Sequence, residues 1–402
     1  MYPFLTNEFS GINGIIRHAP EDFQVTEIPA YPCSGEGEHI FLYIEKSNLT
    51  TLELVKQLSQ KLKISLKDVG YAGQKDCHAL TKQYISIPQK ALPLIEKINI
   101  PNVKILSVQR HKNKLRLGHL QGNEFRICIR NYDESKECNI VSIANKLVDI
   151  GVPNYFGEQR FGIQNNTQWI GKAILQKDSK ALLQVFFGTF TENDGPKMQQ
   201  IKQYFLQGNY KSASEEIPSE FRTEKYILKK LAMGLSPEKI ISIIPKHMHT
   251  FYICAYQAWL FNEILSQRIE NLDNIELGDL AVKHPSRSVF LVEDQEKEQI
   301  RCNNKEISAS GPIWGYKMIQ PRYKPLQREI ELLEKENISM SMFPILGERR
   351  SLRFFVQNLS WQKTEQGMWI SFTLPKSCYA TVVLREFMKN QKVCTIDEIV
   401  EE

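Results

Sequence analysis

Over the first 150 residues, short apolar runs alternate with polar turns. Residues 39–45 read as a strand, and Thr50-x-x-Glu53 is a capping box that opens a helix carrying Leu54, Val55, Leu58 and Leu62 on one face. Further strands are predicted at residues 84–87, closed by Pro88, and at 103–110 and 125–129, with a helix over 140–150. This alternation predicts an α/β sheet layer of mixed strand order.

From Phe161 to Phe343 the pattern turns helical, with helices predicted at 168–175, 198–207, 223–233, 237–244 and 251–269. The pairs Gly195-Pro196 and Gly311-Pro312 punctuate it, and β texture returns at 351–355 and 368–374. Tyr252, Tyr256, Trp259 and Phe261 fall at helical spacing and are expected in the core of this second region. The Lys/Glu-rich stretch 328–336 reads as a solvated helix.

A chain of 402 residues exceeds what one hydrophobic core organises, so two domains are expected. The eight cysteines contain no C-x-x-C pair, and His247 and His249, two apart, do not share a helix face; no metal site is predicted. No apolar stretch approaches the roughly 18 residues that span a bilayer, and Met1 to Phe9 lacks the order of a signal peptide, so the cytosol is the expected compartment. Without a heptad seam, a monomer with no protein partner is expected.

A net charge of +5 is too balanced to mark a nucleic-acid binder, but its distribution is uneven. Between Lys104 and Arg130 seven basic residues face a single acid, Glu124. Arg110, Lys112, Lys114 and Arg116 alternate strictly, and a strand would aim all four at one face, either as a solvated surface or toward a phosphate backbone.

The chemistry centres on Gly70 to Gln83, GYAGQKDCHALTKQ, which sets Asp76 behind a basic residue in a glycine-bearing loop between strands. Taken alone, such an aspartate is a turn former or helix cap. The whole loop, however, resembles the catalytic motif of the TruD family of RNA pseudouridine synthases, G-Y-A-G-x-K-D-x-x-A-x-T-x-Q, at every fixed position. Four more segments resemble that family in order: Arg17 to Glu27 (RHAPEDFQVTE), Gly118 to Phe125 (GHLQGNEF), Asn154 to Gly162 (NYFGEQRFG) and Leu374 to Glu386 (LPKSCYATVVLRE). Before the aromatic of the last segment, relatives read Gly-Ser where this chain has Ser377-Cys378.

The resemblance implies an α+β fold: a pseudouridine synthase-type mixed β-sheet catalytic domain, residues 1–160 and 344–402, interrupted by an inserted, helix-rich TRUD domain, residues 161–343. It makes Asp76 the catalytic carboxylate and places Phe23, Asn123, Phe125 and Tyr379 around the target uridine. Arg17 becomes a basic partner for the carboxylate, and Lys75 joins Arg110, Lys112, Lys114 and Arg116 as an expected RNA-backbone contact. The implied partner is tRNA, with uridine-13 of the D arm as target, and no cofactor. Two other classes remain open. A nucleoside glycosidase needs two carboxylates, and nothing in the spacing of Glu27 or Glu158 pairs them with Asp76. A noncatalytic RNA-binding or chaperone module would keep RNA binding without Asp76.

Overall fold

The computed structural model describes residues 2–162, 164–191, 194–284 and 286–390. They form two compact units, one made of residues 6–152 and 354–390, the other of 2–5 and 153–353. The chain thus leaves and re-enters the first unit near 153 and 353, where its texture had placed the changes at 161 and 343.

The first unit is built on an eight-stranded sheet. Its strands are β1 (Phe23–Pro29), β2 (His39–Lys46), β3 (Gly70–Tyr71), β4 (Leu80–Pro88), β5 (Val103–His111), β6 (Leu120–Ile129) and a C-terminal hairpin, Gln357–Thr364 and Gly367–Pro375. From one edge the order is the two hairpin strands, β6, β1, β4, β2 and β5, with β3 also paired to β4. Strands β1 and β4 run parallel while β1 and β6 run antiparallel, so the sheet is mixed, as expected.

Register explains which side chains meet. Val25 lies beside both Thr81 and Phe125, and Phe125 beside Phe372, so this row shares one face because successive strand residues alternate sides. In the same unit α1 (Thr51–Lys61) buries Leu54, Val55 and Leu58 against Ile40, Leu42, Ile44, Ile85 and Ile87. The helix opens with the expected box: Glu53 N–H donates to the Thr50 hydroxyl, and the Glu53 carboxylate accepts from Thr50 N–H. A second helix, α2 (Asn139–Ile150), follows β6. The strands exceed their predicted lengths mostly at polar ends; β4 begins at Leu80 and β6 at Leu120.

The chain's return is locked by the final helix, Ala380–Met388. Its Glu386, fully buried, accepts from both the Thr6 backbone N–H and hydroxyl, and the Phe387 carbonyl accepts from Ile12 N–H. Gly122 is required where β6 meets the hairpin, because a Cβ there would stand 2.0 Å from the Leu374 carbonyl oxygen.

The second unit is rich in helices, including Thr167–Leu175, Pro196–Leu206, Arg222–Ala232, Lys246–Ser266 and Tyr323–Lys335. Tyr252 and Tyr256 pack in its core with Trp314 and Phe261 is fully buried, as helical spacing predicted, while Trp259 is only partly buried against that core; Gly195-Pro196 forms the N-cap and first residue of a helix. Two readings need correction. The 328–336 stretch is no fully solvated face: Glu329, Leu332 and Leu333 are buried, and Glu329 meets Arg349 at 2.9 Å. The unit also holds an unforeseen four-stranded sheet, ordered Glu348–Ser351, Ile307–Ile313, Leu280–Lys283, Val289–Leu291. Gly311-Pro312, read as punctuation, lies inside it. Of that strand only Ile307 to Ala309 pair with Leu280–Lys283, so Pro312, paired to Arg349 on the other side, needs no N–H for that neighbour.

Candidate active site

Asp76 sits in the loop between β3 and β4, and that loop is fastened at successive backbone groups. Lys75 N–H donates to the Thr51 hydroxyl at 2.9 Å, which donates in turn to Gln83 Oε1 at 2.9 Å, while Gln83 Nε2 reaches the Gly73 carbonyl at 3.4 Å. Beneath, the Lys46 ammonium donates to the carbonyls of Asp76 at 3.0 Å and Leu49 at 2.5 Å. Backbone groups withdrawn from water require such partners, and here two strands and the start of a helix supply them.

The carboxylate itself meets Arg17, whose Nη2 donates to Asp76 Oδ2 at 2.7 Å. The pair is lopsided: 2 % of the Arg17 side chain is exposed against 43 % of the Asp76 side chain. The cation thus stands behind the carboxylate and leaves it an open side. Arg17 holds this position from a left-handed backbone, φ 61°, a conformation that costs an ordinary residue about 1 kcal/mol or more. Its guanidinium lies 4.3 Å above the centre of the Phe23 ring. The turn that follows is tied by Asp22, whose carboxylate accepts from Ala19 N–H and from Arg130 Nε and Nη2, the latter two at 2.7 Å.

The structure therefore joins Arg17, Asp76, Phe23 and Phe125 in one contact chain, with Phe23 edge-on to Phe125 at 6.4 Å and Phe125 stacked on Phe372 at 5.5 Å. Phe23 departs from its expected place. It is 1 % exposed, so its ring is a platform for Arg17 rather than an open wall for a base. Asn123 neighbours Glu27 on β1 and Leu374 on the hairpin, and its Oδ1 is buried with no hydrogen-bond partner among the described residues. Tyr379 is half-buried at the N-cap of Ala380–Met388. Two residues before it Ser377 takes φ 68°, a glycine-favouring conformation.

Lys75 is also redirected. Its ammonium is buried and bonded to Glu27 Oε2 at 2.8 Å, with 4 % and 1 % of the two side chains exposed, and Glu27 Oε1 accepts from Tyr84 N–H. A charge enclosed by its partner in this way is no surface contact for phosphate. The alternating basic residues do not share a strand face either, because β5 ends at His111. Arg110 is exposed at its end; Lys112, Lys114 and Arg116 lie in the loop beyond. Lys112 pairs with Glu36 at 2.6 Å, the Lys114 ammonium donates to the Lys67 carbonyl, and Arg116 is exposed.

A family model described as tRNA pseudouridine synthase D (TruD) matches residues 2–387. The chain belongs to the TruD family. A tRNA pseudouridine synthase D of Geotalea daltonii is 38 % identical over 397 residues, covering 97 % of this chain and 100 % of the relative. Another, of Thermus thermophilus, is 33 % identical over 96 % of this chain and 92 % of its own. A crystal structure from Methanosarcina mazei that bears the family name TruD superposes with a TM-score of 0.82 at 27 % identity, covering 97 % of this chain and 96 % of that one. Membership makes the chain an enzyme, an isomerase of the pseudouridine synthase class. Among the described residues no helix is long and apolar enough to cross a membrane.

Sequence reasoning missed Thr51, which receives the Lys75 N–H, and four further residues that position the loop or the turn after Arg17. Asp22, Glu27 and Gln83 lie inside the quoted motifs and were legible as motif members without a role. Lys46 lies in none of them.

Proposed function

We propose that the enzyme converts uridine to pseudouridine in tRNA, at uridine-13 of the D arm, with Asp76 as the catalytic carboxylate. The observation that carries this reading is the Arg17–Asp76 pair: a carboxylate held by a buried guanidinium, with its other side open.

The reaction breaks the N1–C1′ glycosidic bond, turns the freed uracil while it stays bound, and joins C5 to C1′; the C5 proton is lost and N1 gains one, so no oxidant, reductant or phosphate donor enters. Asp76 acts either by attacking the ribose to form a covalent intermediate or by removing the C2′ proton to give a glycal, and the Arg17 hydrogen bond at 2.7 Å keeps it aimed in both. The target base must leave its stack, at a cost of a few kcal/mol. Tyr379, half-buried, and the small exposed part of Phe125, 8 % of that residue, supply aromatic surface for it, a stacked base being worth about 1–3 kcal/mol. The unpartnered Asn123 Oδ1 matches the N3–H donor of uracil. Arg110, Lys112, Lys114 and Arg116 meet the RNA backbone from the end of β5 and its following loop.

The test incubates wild type and Asp76→Asn with tRNA lacking pseudouridine, maps the modification at nucleotide resolution and assays released uracil. Pseudouridine at position 13 from wild type alone is the expected result. Product from both proteins removes Asp76 from its role, free uracil replaces the isomerase by a glycosidase, and tight binding without product leaves a noncatalytic module.

A further inference from the structure

We propose that Lys46 is a positioning residue for catalysis, one that fixes the height and orientation of Asp76 by gripping the backbone of the catalytic loop from below. The proposal rests on the reading of Asp76 as the catalytic carboxylate.

Lys46 ends β2, where the register sets it beside Thr81 of β4 and Val103 of β5. Its side chain has no solvent exposure at all, which for a lysine calls for strong compensation. The compensation comes from carbonyl oxygens: Leu49 at 2.5 Å, Asp76 at 3.0 Å and Lys75 at 3.5 Å. Three ammonium protons face three carbonyls, two of which belong to the catalytic aspartate and the residue before it. An ammonium donates in three directions, so one side chain joins the Asp76 segment to the turn that starts α1.

The other fastenings of the loop do not replace it. Gln83 holds Gly73, the Thr51 hydroxyl holds the Lys75 N–H, and Arg17 holds the carboxylate tip. Lys46 alone among these side chains bonds the backbone of Asp76 itself. A loop displaced by about 1 Å can cost about 10²-fold in rate without loss of substrate binding.

The charged groups around Lys46 are Asp76, Lys75 and the Cys77 thiol on the loop and Glu53 on α1. Burial outweighs them and brings its pKa down to about 8, with Cys77, Asp76 and Glu53 acting to raise it and Lys75 to lower it further. Above that pH the neutral amine keeps two donors for three carbonyls and presents a lone pair to an oxygen. The grip therefore loosens on the alkaline side.

The decisive experiment measures single-turnover pseudouridine formation, RNA affinity and thermal unfolding for wild type, Lys46→Met and Asp76→Asn between pH 6.5 and 9.5. The expected result has three parts: Lys46→Met is about 10²-fold slower at pH 7 with affinity within about twofold of wild type; wild type loses rate on an alkaline limb near pH 8; and that limb is absent from Lys46→Met. An inactive Asp76→Asn beside a Lys46→Met of wild-type rate overturns this proposal alone, whereas an active Asp76→Asn overturns the catalytic assignment beneath it. If Lys46→Met does not fold, Lys46→Gln, which keeps two amide donors, takes its place, and a wild-type rate in that variant overturns the role.

Discussion

Lys75 and Glu27 meet at 2.8 Å behind the Asp76 loop, almost without access to water. The ammonium therefore joins the loop to β1, and through the second oxygen of Glu27 to the Tyr84 N–H on β4. A partnership so enclosed is costly to break from one side only. Glu27→Gln or Lys75→Met leaves an uncompensated buried charge, and chemical denaturation is expected to show a loss of about 3–5 kcal/mol. The double variant, which removes both charges, should recover a good part of that loss. Salt-dependent RNA binding separates this role from phosphate contact: Lys75→Met should leave the slope of affinity against salt unchanged, and a slope reduced by about one would restore the phosphate role.

Arg17 is the next case, because its worth lies in the reaction more than in the fold. Arg17→Ala removes a charge-assisted hydrogen bond from Asp76 and the guanidinium from the Phe23 ring. Turnover at saturating tRNA should fall by about 10²-fold with a much smaller change in KM. Arg17→Lys recovers part of it, since a lysine supplies charge without the planar fork that lies on Phe23. Unchanged turnover in Arg17→Ala would end its assigned role.

Ser377 makes a prediction about stability from backbone geometry alone. At φ 68° its side chain carries a penalty that glycine avoids, roughly 1–2 kcal/mol, while glycine's looser unfolded chain cancels about 0.4–1 kcal/mol of that gain. Ser377→Gly should therefore raise stability by up to about 1.5 kcal/mol in urea denaturation, and Ser377→Val should lower it. A glycine variant less stable than wild type would show that the Ser377 side chain contributes more than its backbone costs.

The basic loop after β5 is predicted to be uneven in effect. Arg110 and Arg116 are exposed, whereas Lys112 is engaged by Glu36 and Lys114 by the Lys67 carbonyl. Arg110→Ala and Arg116→Ala should each reduce the salt slope of tRNA affinity by about one, and Lys112→Ala by less, since its carboxylate partner already neutralises it. Equal effects from all would instead favour a face on which every ammonium is free.

What was legible in the sequence follows from how local its cause is. The capping box at Thr50, the apolar face of α1 and the strand of β2 rest on neighbouring residues, and each stands where the pattern placed it. The basic row failed because strict alternation is necessary for a shared strand face but does not create a strand; the pairing of β5 with β2 stops at His111 and His39, before Lys112. Phe23 beside the uridine and Lys75 on the RNA backbone are expectations carried by motif position, which gives residue type and not direction; in the fold Phe23 lies under Arg17 and Lys75 against Glu27. The strand Ile307–Ile313, with serines, glycine and proline among few large apolar residues, lacks the period that exposes a strand because nearly all of it is buried. Lys46 was silent for a related reason: nothing adjacent to it announces three carbonyls brought from residues 49, 75 and 76.

Lys46 also gives stability and activity opposite dependences on pH. Burial lowers its pKa from 10.5 to about 8, so below pH 8 the folded protein carries a charge that the unfolded chain would hold more comfortably in water. Between pH 8 and 10.5 the unfolded state binds the proton and the folded state does not, and stability contributed by this group rises with pH across that window. The full effect is at most a few kcal/mol, at about 1.4 kcal/mol for each pKa unit. Other groups titrate in the same range, so the measurement is a difference: the unfolding free energy of wild type minus that of Lys46→Met, followed from pH 7 to 9.5 in urea. That difference should grow in favour of wild type as pH passes 8, over the same interval in which catalysis slows. A difference that stays level would mean that Lys46 keeps its proton throughout, held by the carbonyls of Leu49, Lys75 and Asp76 more firmly than burial opposes it.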